Sequence, residues 1–167
     1  MGIPELEDKQ EWCSLGELQE HEFVRRYGLK LKVMLHPDKK SDPYGPDLIH
    51  HCGWLAELKT RNTPFFMAGQ KYGLDPQTAV TINRKDIERY ADKYKDLLLY
   101  FAVSWDAEER FGVKVDELSG IWGIRFSNLF DLCLDAPLHA YQNRTNDNQG
   151  NAKDSYVVCL TKMEKLL

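Results

Sequence analysis

The chain has 167 residues, 43% of them hydrophobic and 29% charged, with a formal net charge of −4. That balance belongs to a globular protein with a real core and excludes a disordered chain. No stretch approaches the roughly 18 apolar residues of a membrane helix, and mild net acidity argues against non-specific coating of nucleic acid while allowing a local basic groove.

Residues 1–13 are acidic and lack a basic segment followed by an apolar run, so they read as a loose lead-in and not a secretory leader. Gly2 is followed by Leu at position 6, where a myristoylation signal needs Ser or Thr. Cys13, Cys52, Cys133 and Cys159 are scattered without a C-x-x-C pair. That is the pattern of reduced thiols, and the expected location is the cytoplasm.

Ser14, with Glu17 three residues on, reads as a capping box and predicts a helix over 14–28, stopped by Gly28. Residues 29–35 alternate apolar and basic side chains, a half-buried strand with Lys30 and Lys32 outward. Residues 36–46 are rich in Pro, Asp and Gly and form a loop. Two short strands over 47–53 and 54–60 meet near Gly53. Residues 61–80 are irregular, with a short helix near 65–72. A polar helix over 84–96 carries Ile87, Tyr90, Ala91 and Tyr94 at helical spacing.

The apolar run 97–104 is a strand covered on both faces. Residues 113–126 give one or two strands broken at Gly120 and Gly123, 127–135 a short helix, 141–153 a polar loop and 155–160 a last strand. The order implies an α/β fold with a central mixed sheet flanked by helices, and one domain over 14–167.

The chemically informative segment is Pro46-Asp47 and, nine residues later, Glu57-Leu58-Lys59. Side chains two apart on a strand share a face, so Glu57 and Lys59 go together while Ala56 and Leu58 turn inward. Asp47 opens the preceding strand of the same hairpin. Two carboxylates and an ammonium at a hairpin's open end suit metal-assisted phosphodiester cleavage. Mg²⁺ takes hard oxygen ligands, here Asp47, Glu57 and the Leu58 carbonyl, with Mn²⁺ expected to substitute. Lys59 stands ready to orient the attacking water or to stabilise developing charge.

This pattern resembles the PD-(D/E)xK nuclease superfamily of restriction enzymes, Holliday-junction resolvases and phage nucleases, over about Leu15 to Ser104. The resemblance implies a restriction-endonuclease-like core. It also implies Mg²⁺-dependent endonuclease activity on DNA, with a homodimer as the expected assembly. Many members add an acidic residue on the first helix. Glu22 falls between Leu15 and Leu18 on the helical wheel, so it is either this auxiliary metal ligand or a partner of Arg25 or Arg26.

Basic residues concentrate in the first two-thirds of the chain, and of these Lys39, Lys40, Arg61, Arg84 and Lys85 are assigned to phosphate contacts. His50-His51-Cys52 lacks the spacing of a zinc site, because a strand sends neighbours to opposite faces. There is no G-x-x-x-x-G-K-[ST] and hence no nucleotide cofactor, and no G-x-S-x-G. The competing reading is a catalytically inactive nucleic-acid-binding or assembly protein that keeps the same fold. The sequence does not separate DNA from RNA as substrate.

Overall fold

The computed structural model describes residues 9–94, 96–140 and 154–167. The expected loop over 141–153 and most of the acidic lead-in lie outside the described residues. The fold is α/β, with a mostly antiparallel six-stranded sheet and flanking helices. Among the described residues, no helix is long and apolar enough to cross a membrane. The chain gathers into two compact units that divide within one strand, the first ending at Leu58 and the second spanning Lys59–Leu167.

In the first unit, α1 runs over Lys9–Leu31 and packs on β1 (Val33–Leu35). The helix is longer than expected at both ends, so Ser14 is an interior residue and not a cap. Gly28 is not its stop either. A Cβ at Gly28 would lie 2.9 Å from the Val33 carbonyl oxygen and 3.0 Å from Val24 Cγ1, so the glycine lets the helix lie against the strand. The chain reverses at Lys32, which takes the left-handed conformation with φ 58°. The strand expected over 29–35 is thereby cut to β1.

Strand β2 (Leu48–His50) pairs antiparallel with β1 through Val33↔His50 and Leu35↔Leu48. It pairs on its other side with β3 (Leu55–Arg61) through Leu48↔Ala56 and Ile49↔Leu55. Phe23, Val33, Leu48, Ala56 and Leu58 are buried apolar side chains that this unit closes over.

In the second unit, α2 (Ala68–Tyr72) and β4 (Ala79–Asn83) occupy the stretch read as irregular. Ala79, Val80 and Ile82 of β4 are buried. Helix α3 (Arg84–Lys93) follows directly, and Ile87 and Tyr90 make its buried stripe. Strand β5 (Leu97–Trp105) is buried at alternate and consecutive positions alike, as a continuous apolar run requires.

A hairpin of β6 (Glu108–Arg110) and β7 (Val113–Val115), not foreseen from sequence, turns on Phe111 and Gly112. Their φ angles are 54° and 74°, the consecutive positive values of a tight hairpin turn. Strand β8 (Leu118–Arg125) then pairs antiparallel with β5 along its whole length, from Trp105↔Leu118 to Leu98↔Arg125.

The glycines at 120 and 123 do not break β8. Cβ atoms there would meet the Leu167 oxygen at 2.7 Å and Leu166 Cδ1 at 2.8 Å, so the glycines admit the C-terminal strand. Helix α4 (Phe126–Asp135), β9 (Leu138–His139), β10 (Ser155–Cys159) and β11 (Glu164–Lys165) complete the chain. The large sheet has the order β1-β2-β3-β5-β8-β11, and β4-β10-β9 form a second sheet. Trp105 and Trp122 are core residues, 5% and 7% exposed.

Candidate active site

The pairing of β2 with β3 builds the acidic centre of the first unit. Continuing the Leu48↔Ala56 register by one residue puts Asp47 opposite Glu57. Directly opposed residues have Cβ atoms about 4.5–5.5 Å apart. Both residues are buried, at 5% and 6% exposure. Asp47 Oδ2 accepts the Leu58 N–H at 3.0 Å, which fixes the carboxylate against β3. The loop 36–46 is closed by the His36 N–H donating to the Asp47 carbonyl at 2.9 Å.

Helix α1 adds a third carboxyl, and it is Glu20. Burial, the charge of Asp47, a hydrogen bond to Asp47 and the charge of Glu57 push the Glu20 carboxyl up to about 8, against an opposing pull from Lys39. A carboxyl raised this way reports acids crowded in a poorly solvated place.

Glu22, the residue expected here, lies elsewhere. Its carboxylate takes Arg25 at 2.7 Å and Arg26 at 2.5 Å, and hydrogen bonds from these two arginines lower it to about 2. The difference is one of helix phase. Leu18 is 58% exposed, so the Leu15–Leu18 stripe does not define the inward face. Phe23, 4% exposed, defines it, and Glu20 precedes Phe23 by one helical turn.

Lys39, assigned from sequence to phosphate contact, is an internal counter-ion. Its Nζ donates to the Gly45 carbonyl at 3.0 Å and to Asp47 Oδ1. Burial works against its charge, but Asp47, Glu20 and Glu57 outweigh burial and raise the ammonium above the usual lysine range.

In the second unit, Lys59 Nζ pairs with Asp86 Oδ2 at 2.9 Å, with the two side chains only 13% and 15% exposed. Asp86 sits in the first turn of α3 and also takes Arg89 at 3.1 Å. Both cations lie over the Tyr90 ring, at 5.5 and 5.1 Å from its centre. Asp86 was not singled out from the sequence. An acid in the first turn of a helix following the motif strand is the available signal.

Arg61 is likewise structural. It donates to the Thr81 carbonyl at 3.1 and 2.5 Å and lies 6.0 Å over the Phe101 ring. Lys40 and Lys85 are exposed. Arg84 is exposed too and paired with Glu88 at 2.9 Å. Cys52 is exposed, with its Sγ 3.0 Å from His50 Nδ1, and Cys133 is buried, its thiol pushed up to about 12 by burial.

Among the described residues, no three His, Cys, Asp or Glu side chains stand close enough to enclose a metal ion as placed. Mg²⁺ does not demand an all-protein cage. It is usually held by one or two carboxylates, with waters and substrate oxygens completing the shell. Buried Asp47 and Glu57, with the crowded Glu20 beside them, are a hard-oxygen donor set of that kind.

No family model matches the chain, and no curated protein matches it. Among solved structures it is similar to a nuclease from a fusselovirus, at 11% identity and a TM-score of 0.39, covering 99% of this chain and 90% of that one.

Proposed function

We propose that this chain is a divalent-metal-dependent nuclease that hydrolyses phosphodiester bonds of DNA. The observation that carries the reading is the convergence of the Glu20, Asp47 and Glu57 carboxyls from a helix and two paired strands, two of them buried. Placing acids together in a poorly solvated site costs folding free energy unless a cation or proton offsets it. Lys39 supplies part of that offset, and a divalent cation is proposed to supply the rest.

Asp47 and Glu57 would hold Mg²⁺ or Mn²⁺, with Glu20 as the auxiliary acid in place of Glu22 and the Leu58 carbonyl as a further oxygen. Such an ion, when bound, neutralises phosphate charge and lowers the pKa of a water. Asp47 is pre-set for its part, because the Leu58 N–H fixes one carboxylate oxygen. Lys59 is the group proposed to orient the water or to stabilise charge building on the phosphate. Asp86 and Tyr90 restrict its flexible stem, so Asp86 acts as a positioning residue. Exposed Lys40, Arg84 and Lys85 are proposed to contact the phosphate backbone. A homodimer, one copy for each strand, goes with the same reading.

The test is nicking of supercoiled plasmid, and cleavage of branched and single-stranded DNA, with Mg²⁺ and again with EDTA. Chelator-sensitive cutting that is lost in Glu57→Ala and Lys59→Ala is the expected result. Cutting that survives both substitutions, or none on any substrate, refutes the assignment.

A further inference from the structure

The Lys39 ammonium stands where a positive charge is wanted at the acidic centre. It lies on Asp47 Oδ1, and Asp47 Oδ2 is already taken by the Leu58 N–H. Glu20 and Glu57 face the same ammonium from α1 and β3. The Gly45 carbonyl holds it from the loop side at 3.0 Å. We propose that Lys39 is a built-in placeholder cation: it occupies the Asp47 carboxylate in the metal-free protein and is displaced when a divalent ion binds. The inference rests on the metal reading above and adds to it a residue that competes with the metal.

Two features make displacement physically accessible. The ammonium is a compact charge on a four-carbon stem with many rotamers, so it can leave without backbone movement. Its side chain is 24% exposed, against 8% for Asp47, so it has a route to solvent that the carboxylate lacks. The loop that carries it is internally braced. Lys39 N–H donates to the His36 carbonyl at 3.2 Å, Asp42 N–H to the Asp38 carbonyl at 2.9 Å and Gly45 N–H to the Asp42 carbonyl at 3.0 Å. The lysine therefore returns to one place. A divalent ion and an ammonium cannot both press on one buried carboxylate oxygen without strong mutual repulsion. The stem that neutralises the acids during folding must then weaken the metal's hold.

Lys39→Met keeps the stem and removes the charge. Mn²⁺ is titrated by calorimetry, without nucleic acid, into the wild-type chain and the variant, and both are melted in EDTA. The variant is expected to bind Mn²⁺ about tenfold more tightly and to melt at a lower temperature in EDTA. A second measurement needs no variant. Acylation of Lys39 by an amine-reactive ester, mapped by mass spectrometry against exposed Lys40 and Lys85, should speed up when Mn²⁺ is added to the wild-type chain. Equal or weaker Mn²⁺ binding by the variant, or an unchanged Lys39 acylation rate while Mn²⁺ binds, overturns the placeholder and leaves the metal site standing. Absence of Mn²⁺ binding in both proteins overturns the metal reading itself, and the placeholder with it.

Discussion

Replacing Asp86 by Ala tests how Lys59 is held. Asp86 binds Lys59 at 2.9 Å and Arg89 at 3.1 Å, and the Lys59–Asp86 pair is largely out of water. At an effective dielectric near 20, each contact corresponds to roughly 5–6 kcal/mol of gross attraction. Desolvation offsets most of that in the intact pair, but deleting the carboxylate leaves two cations side by side over Tyr90. Removing one partner of a fully buried pair costs about 3–5 kcal/mol. The residual exposure here, and the 27% exposure of Arg89, bring the expected loss to about 3 kcal/mol. For a protein of this size that is a fall in Tm of about 6–12 °C. Urea or thermal unfolding of D86A, K59M and the double variant measures it. The double variant should recover at least about 1 kcal/mol relative to D86A, because the repulsion between the Lys59 and Arg89 cations is gone. A loss under about 1 kcal/mol in D86A, or no recovery in the double variant, refutes the reasoning.

Two other substitutions separate the acids of α1. Glu20→Gln should weaken Mn²⁺ binding about tenfold while leaving the metal-free protein as stable or more so, since it relieves carboxyl crowding. Glu22→Gln should leave Mn²⁺ binding unchanged in the same calorimetric titration, and equal losses in both variants would contradict the helix phase. The buried ring of His139 gives a pH prediction. It is hydrogen-bonded to Tyr72 Oη at 2.7 Å, and burial, with the charge of Lys71, holds its pKa below the usual 6.5. The unfolded chain then binds the proton more readily, so stability is full above about pH 6.5 and declines as pH falls through that value. Denaturant unfolding across that range should show the decline in the wild-type chain and a shallower one in His139→Gln. Identical slopes would remove His139 as the cause.

Local pattern made much of the architecture legible in advance. Alternation and apolar runs marked the β2–β3 hairpin and β5, and the Ile87 and Tyr90 spacing marked α3. Other elements carried too little local signal. The β6–β7 hairpin depends on Phe111 adopting a positive φ, which aromatic residues seldom do, so nothing in the sequence announces the turn. The glycines of β8 read as breaks because a glycine that ends a strand and one that admits a neighbour are indistinguishable in sequence. The approach of Leu166 and Leu167 settles which these are.

The sequence by itself placed Asp47, Glu57 and Lys59 on one hairpin and an acid on the preceding helix. Only the tertiary structure decided which acid that is, and which of the nearby cations are free. Facing within one helix is set by what packs against it. Phe23 goes inward and Leu18 does not, and that rotation brings Glu20 to Asp47 and leaves Glu22 to Arg25 and Arg26. Lys39 and Arg61 look in sequence like surface charges awaiting a phosphate. Partners eight and twenty residues away in the chain, Asp47 and the Thr81 carbonyl, claim them first, because a fixed acceptor shielded in part from water holds a cation by charge and geometry together.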